Sequence, residues 1–252
     1  MLNVMPYKQI IFTDIDDTLI QTKPKCPPET PLHDGGANSQ GEMISFYSEQ
    51  QKTLLNWFNT ARTIPVTGRN SAALNRLTFS FKHEKVINHG ALILGQDNQV
   101  DPNWLQQIAS DIDAWHEFLI YLDGKTQTLI KQHGLTMRSR VVEDYGVPCY
   151  ISIKGDHHQF EHLQELLAEH KAHRSAAKIH INGRNMALLP CYASKANAVQ
   201  YLMAHYKKQY DHPLFIGSGD SHTDVPFMQL CHFMMIPNSS QISQANQLNH
   251  DF

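Results

Sequence analysis

Short apolar, β-branched runs alternate with helical patterns at both ends of the chain. QIIFTD (9–14) and TIPVTG (63–68) read as strands, while FYSEQQKTLLNWFNTA (46–61) and NSAALNRLTFSF (70–81) repeat apolar residues at helical spacing. The rhythm returns late: helical SKANAVQYLMAHYKK (194–208) leads into the strand HPLFIGSGD (212–220), then helical TDVPFMQL (223–230) and strand-like HFMMIP (232–237). Strands that alternate with helices need crossover connections, so the pattern predicts an α/β fold with a Rossmann-like, doubly wound parallel sheet.

The middle of the chain follows another pattern. ALIL (91–94), MRSRVV (137–142), PCYISIK (148–154), AAKIHI (176–181) and MALLP (186–190) read as strands, and residues 101–122 and 157–173 read as helices. Short turns, such as Gly183-Arg184-Asn185, join consecutive strands and point to an antiparallel α+β insert. The expected division is a core of 1–87 and 186–252 around a second domain of 88–185. Residues 21–45, rich in Pro, Gly and polar side chains, are expected to form a long loop.

Charge and cysteine content narrow the partners. A formal net charge of -3 over 252 residues supplies no basic footprint for nucleic acid. Cys26, Cys149, Cys191 and Cys231 lie far apart with no CxxC pair, which argues against a zinc ribbon or disulfide framework and suits reduced thiols in the cytoplasm. The opening MLNVMPYKQIIF lacks the apolar core of a signal peptide, and no window has the length of a membrane span. Oligomeric state is not legible.

The ends of the apolar runs carry the chemistry. Ligands of an open parallel sheet bind outside the carboxyl ends of its strands. There stand Asp14-Ile15-Asp16-Asp17-Thr18, Thr67-Gly68-Arg69 and Gly217-Ser218-Gly219-Asp220-Ser221-His222-Thr223-Asp224, with Lys195 opening the helix before the last strand. Clustered carboxylates repel unless a cation sits among them. Asp14, Asp16, Asp220 and Asp224, with one hydroxyl and one ammonium, suit Mg²⁺, which takes oxygen ligands and leaves positions for a phosphate. A small phosphorylated metabolite is then the natural substrate. Asp14 would attack phosphorus, and Asp16 would protonate the leaving alkoxide and later deprotonate water. Thr67 and the N–H groups after it would hold the phosphoryl oxygens, with Gly217 and Gly219 keeping bulk off the metal.

DIDDT, VTGR, the lysine of ASKANAV and GDSHTD resemble, in order and spacing, the four motifs of the haloacid dehalogenase superfamily of phosphohydrolases. The insert lies between the second and third motifs, as in members with a class-two cap, and P-x-x-ASKANAVQYL resembles the Cof-type and sucrose-phosphatase-like branch. The resemblance implies Asp14 as nucleophile and Mg²⁺ ligand, and Asp16 as acid/base and as a ligand through its carbonyl. It further implies Thr67 and Lys195 as phosphate binders, Asp220 as a metal ligand, and Asp224 as the carboxylate orienting metal and lysine. NHGALI resembles the turn entering the cap, with His89 where the family has Asn. His89, Lys154, Asn182 and Arg184 are candidates for holding the leaving group, and Arg69 for reaching the substrate. The implied activity is a phosphatase acting on a sugar phosphate.

Other readings of the same residues compete. Asp17 suits a helix N-cap. Asp224, three after Ser221, suits the acidic half of a capping box. A calcium loop fails because Leu19 and Lys25 stand where its Gly and final Glu belong. His157, His158 and His162 include a pair one helical turn apart, but without further ligands they read as a polar helix face rather than a zinc site. A phosphomutase would use the same aspartyl-phosphate. A phospho-accepting receiver would have no use for Asp16 as acid/base or for a hundred-residue insert, and the intact Asp14, Asp16, Lys195 and Asp220 speak against a silent binding protein.

Overall fold

Ile10, Ile11 and Phe12 are buried whichever way they face, the mark of a strand flanked by others and covered on both sides. In the computed structural model, which describes residues 8–28, 30–171 and 177–245, they lie in β1 (Gln9–Thr13). The next elements are β2 (Gln21–Thr22), β3 (Leu32–Ala37), β4 (Met43–Ser48), α1 (Glu49–Phe58) and β5 (Arg62–Pro65). They are followed by α2 (Ser71–Leu74), β6 (Lys85–Ile87) and β7 (Leu92–Leu94). After an inserted stretch the first unit resumes with α5 (Lys195–Gln209), β12 (Leu214–Ser218), α6 (Val225–Met228), β13 (Phe233–Met235) and α7 (Gln241–Ala245).

These strands form a parallel, Rossmann-like sheet in the order β13-β12-β1-β5. Register decides what meets at its carboxyl edge: Thr13 stands opposite Ser218 on one side and Pro65 on the other. Beyond β5, a single parallel bridge between Val66 and Val86 brings β6 alongside. The segments that follow β1, β5 and β12 therefore leave the sheet as neighbours. α5 turns Ala198, Val199, Leu202, Met203 and Tyr206 inward, a helical stripe that buries one face.

The described residues of 21–45 hold three strands rather than one long loop. β2, β4 and β3 make a three-stranded antiparallel sheet, and a bulge at Gly36 breaks its register. The glycines that suggest a loop serve close packing: a Cβ on Gly35 would come within 2.9 Å of the Ile20 side chain. The helix expected from 46 starts at Glu49 because Phe46 to Ser48 belong to β4, and Ser48 and Gln51 close a reciprocal capping box there. In the stretch 70–81 only Ser71–Leu74 is helical, and within 223–230 only Val225–Met228 is. The Lys85–Ile87 strand, too short to stand out as a run, was not anticipated.

The second compact unit is Pro102–Ser194. It holds α3 (Pro102–Gln132), β8 (Met137–Asp144), β9 (Val147–Gly155), α4 (Phe160–Lys171), β10 (Lys178–Asn182) and β11 (Asn185–Leu189). Its antiparallel sheet runs β10-β11-β9-β8, with α3 against β8, β9 and α4. The hairpin between β8 and β9 turns at Tyr145 and Gly146, both at positive φ (51° and 74°). α3 spans 31 residues, ten beyond the expected end, because Thr126 and Ile130 continue the buried stripe of Trp115, Leu119 and Leu122.

The second unit runs over 102–194 rather than over 88–185. β7 pairs with β6 in the first unit, and β11 pairs with β9 and β10 in the second. Neither pairing is visible in an apolar run read alone. The first seven residues of the opening MLNVMPYKQIIF, the end of the expected 157–173 helix, the first residue of AAKIHI and the end of the 186–252 segment lie outside the described residues. Among the described residues no helix is long and apolar enough to cross a membrane.

Candidate active site

Asp14 is the first residue past β1, and its N–H donates to Ser218 O at 2.8 Å, continuing the ladder onto β12 by one step. That step sets its carboxylate beside the loop that follows β12. Lys195, the first residue of α5, donates from Nζ to Asp14 Oδ1 and to Asp224 Oδ1, both at 2.6 Å. Oδ2 of Asp224 accepts from Ser221 N at 3.1 Å and Ser221 Oγ at 2.7 Å. Asp220 lies in the same cluster: its carboxylate oxygens and those of Asp14 and Asp224 fall within 4.8 Å of one another.

All of these groups are buried, so charge governs their protonation. Burial holds the Asp14 carboxyl well above the ordinary range, with Asp224 and Asp16 adding to it and Lys195 opposing. Burial likewise pushes Asp220 up to about 7, helped by the charges of Asp224 and Asp17. Burial works upward on Asp224 too, but the Lys195 ammonium and the Ser221 donors bring it below its usual value. For Lys195, burial works downward and is outweighed by its two carboxylates, which hold the ammonium charged. Ionising all three carboxyl groups against one ammonium would leave the cluster short of positive charge. Its donors are all oxygens, which suits a hard divalent cation held by Asp14, Asp220 and Asp224.

The second strand end contributes a tight turn. Thr67 N donates to Val86 O at 2.9 Å, and Arg69 N donates to Thr67 Oγ1 at 3.1 Å. Asn88 N and His89 N then donate to Arg69 O and Thr67 O, each at 2.9 Å, so residues 88 and 89 brace the turn from behind. Both braces sit at positive φ, 52° and 58°, and both are buried. The His89 ring lies over Gly68 so closely that a Cβ there would overlap it. His89 therefore backs the Thr67–Arg69 turn. The Arg69 guanidinium makes a two-pronged pair with Asp16, Nε to Oδ2 at 2.8 Å and Nη2 to Oδ1 at 2.7 Å.

Lys154, Asn182 and Arg184 belong to the second unit. There they are neighbours: Lys154 pairs in the ladder with Asn185 and Arg138, Asn182 pairs with Asn185, and Arg184 Nε donates to Gly155 O at 3.3 Å. Asp17 caps no helix. It stands at φ 62° and accepts from Lys25 Nζ at 2.6 Å. The capping box expected at Ser221 and Asp224 is half formed: Ser221 N–H reaches the carboxylate, while the Ser221 hydroxyl joins it there. Gly219 leaves room for the Asp224 side chain, since a Cβ would lie 2.6 Å from Asp224 Cβ, and Gly217 does the same for the backbone of α6 at Met228. Ser221 thus anchors Asp224 through its hydroxyl as well as its N–H. The sequence does not point to one further contributor: Thr18 Oγ1 donates to Asp220 Oδ1 at 3.4 Å. Its only sequence signal is a hydroxyl inside an acidic motif. His157 and His158 are exposed beside a half-buried Asp156, whose Oδ1 accepts the His158 N–H, and the three offer ligand atoms within 4.8 Å of one another.

Solved structures with the same architecture are distant in sequence. The sucrose-phosphatase of Synechocystis sp. PCC6803, determined with sucrose and phosphate, aligns with a TM-score of 0.60 at 15% identity, covering 97% of this chain and 88% of that one. The C-terminal domain of the Candida albicans trehalose-6-phosphate phosphatase aligns at 0.59 and 14%, covering 88% and 73%. A truncated Plasmodium falciparum IMP-nucleotidase aligns at 0.55 and 14%, covering 91% and 66%. At such identities the likeness speaks for the fold alone. No curated protein sequence matches significantly. The model of the sucrose-6F-phosphate phosphohydrolase family, however, matches residues 7–250, so every element that builds the acidic cluster lies within it and the chain belongs to that family of the haloacid dehalogenase superfamily.

Proposed function

We propose that the protein is a Mg²⁺-dependent, cytoplasmic phosphatase of a small sugar phosphate, working through an aspartyl-phosphate. The observation that carries this is the bridge of Lys195 between Asp14 and Asp224, with Asp220 in the same buried cluster. Membership of a family of phosphoric monoester hydrolases supports it.

Asp14, Asp220 and Asp224 hold the cation, with the Asp16 carbonyl. Bound Mg²⁺ supplies positive charge that offsets repulsion between a carboxylate and a phosphoryl dianion. Lys195 and the Thr67–Arg69 turn receive the phosphoryl oxygens. Asp14 forms the new P–O bond as the bond to the sugar oxygen breaks, and Asp16 gives that oxygen its proton. Water then attacks phosphorus, Asp16 takes the proton released, and inorganic phosphate leaves with Asp14 restored. The sum is ester plus water giving alcohol plus phosphate. Asp16 thereby regains the proton it gave to the sugar oxygen.

The inserted unit would act as a cap that selects the alcohol, with Lys154, Asn182 and Arg184 as its candidate contacts. A panel of phosphorylated metabolites that includes sucrose 6-phosphate and trehalose 6-phosphate, assayed for phosphate release, tests the reading. Release that needs Mg²⁺ and disappears in Asp14→Asn is expected. No release from any ester, or undiminished release by Asp14→Asn, would overturn it.

A further inference from the structure

Both carboxylate oxygens of Asp16 are taken up by one side chain. Arg69 meets them with Nε and Nη2 at 2.8 and 2.7 Å, the parallel fork by which a planar guanidinium fits a carboxylate. Its remaining nitrogen, Nη1, donates to Ala73 O at 3.2 Å, and its main-chain N–H donates to Thr67 Oγ1 at 3.1 Å. Arg69 is thus fastened to the turn that carries Thr67. The two partners are unequally enclosed, with 15% of the Arg69 side chain and 42% of the Asp16 side chain exposed. The guanidinium is the fixed member, and the carboxylate has room to move.

We propose that Arg69 is a phosphoryl receptor that holds Asp16 out of use until a phosphate-bearing substrate displaces it. The inference rests on the reading of Asp16 as the residue that serves the leaving-group oxygen. While the fork is closed, both oxygens of Asp16 are engaged by the guanidinium, which holds the carboxylate in place. A phosphoryl group offers a guanidinium the same two parallel acceptors as a carboxylate and carries up to twice the charge. Phosphate therefore competes for the same prongs, and its binding frees Asp16 on the solvent side. The pair works as a gate opened by the one group every phosphate ester shares, which leaves discrimination among alcohols to other residues. Arg69 is in this sense both a binding residue and the positioning residue of Asp16.

Competition has a signature that simple repulsion lacks. Inorganic phosphate binding is measured by calorimetry, in the presence of Mg²⁺, on wild type, Asp16→Asn, Arg69→Gln and the double variant. Freed from its carboxylate, Arg69 should bind phosphate at least about fivefold more tightly in Asp16→Asn, whereas the same substitution made in the Arg69→Gln background should change affinity less than about twofold. Equal effects in both backgrounds would mean that Asp16 merely repels phosphate, and the gate would be wrong. Arg69→Lys, which keeps the charge without the fork, is expected to lose most of the coupling, and full coupling there would also overturn the proposal. A protein that shows the coupling yet releases phosphate from no ester would end the phosphatase reading and leave the competition standing. An active phosphatase without the coupling would do the reverse.

Discussion

Lys195 and Asp14 touch at 2.6 Å across 181 positions of sequence, and the same ammonium reaches Asp224. One cation thereby holds two buried carboxylates that would otherwise repel. Lys195→Met keeps much of the side chain's bulk and removes the charge. It is expected to lower phosphatase turnover by at least about 10²-fold, the scale for losing a preorganised donor to developing charge. It should also lower the melting temperature without Mg²⁺, with part of the loss recovered when Mg²⁺ is added. Steady-state kinetics and thermal unfolding with and without the metal check both, and near-normal turnover would remove Lys195 from the site.

Gly68 and His89 make a second close pair. Because a Cβ on Gly68 would overlap the imidazole, Gly68→Ala must displace either the ring or the Thr67–Arg69 turn. Overpacking of this kind costs about 1–3 kcal/mol, and here it falls on a turn whose two carbonyls are held by Asn88 and His89. Replacing His89 with Asn, a residue that tolerates positive φ, removes the ring and should restore most of the stability of Gly68→Ala. Urea unfolding of the single and double variants measures this. Additive losses would show that the two residues do not meet.

The parts of this site differ in how visible they are along the chain. The runs ending at Asp14, Thr67 and Asp220 stand out because central parallel strands are apolar on both faces, and parallel register then forces their ends together. What stays hidden depends on contacts between segments. The β2–β4–β3 sheet is masked by glycines that serve a bulge and a close approach to Ile20 rather than a loop. The Arg69–Asp16 fork spans 53 positions and follows from no periodicity. The unit boundaries shift because β7 and β11 are apolar strands whose partners, not their composition, decide which unit they join.

Away from the cluster, Glu84 carries an acid-sensitive share of stability. It accepts from Arg62 Nη2 at 2.9 Å and from Tyr206 Oη at 2.7 Å. Burial pushes its carboxyl up, but these donors win and hold it below its ordinary 4.5. The folded state therefore binds the Glu84 proton less tightly than the unfolded chain. The resulting stabilisation is fully present above pH 4.5 and is lost as pH falls through the lowered folded value. Glu84→Gln should cost about 1.5–3 kcal/mol at pH 7, the worth of hydrogen bonds to a charged group, and should flatten the acid limb of the stability profile. Denaturant unfolding from pH 7 to pH 3 tests it, and parallel profiles for the two proteins would contradict the assignment.

Asp220 ties metal binding to pH. Its carboxyl is pushed up to about 7 by burial and by the neighbouring charges of Asp224 and Asp17, so near neutrality it is only partly ionised when no cation is bound. A cation must displace that proton, and binding and deprotonation are therefore linked. Through this carboxyl the apparent Mg²⁺ affinity should fall towards tenfold per unit below pH 7, and the contribution of Asp220 should level off above pH 7, where its proton is gone. Asp220→Asn removes both the titration and a ligand. It should bind Mg²⁺ at least about tenfold more weakly at pH 8 and show little pH dependence between 6 and 8 from this source. Calorimetry in buffers of different ionisation heat counts the protons released. Wild-type release near pH 6 that persists unchanged in Asp220→Asn would assign the proton to another group.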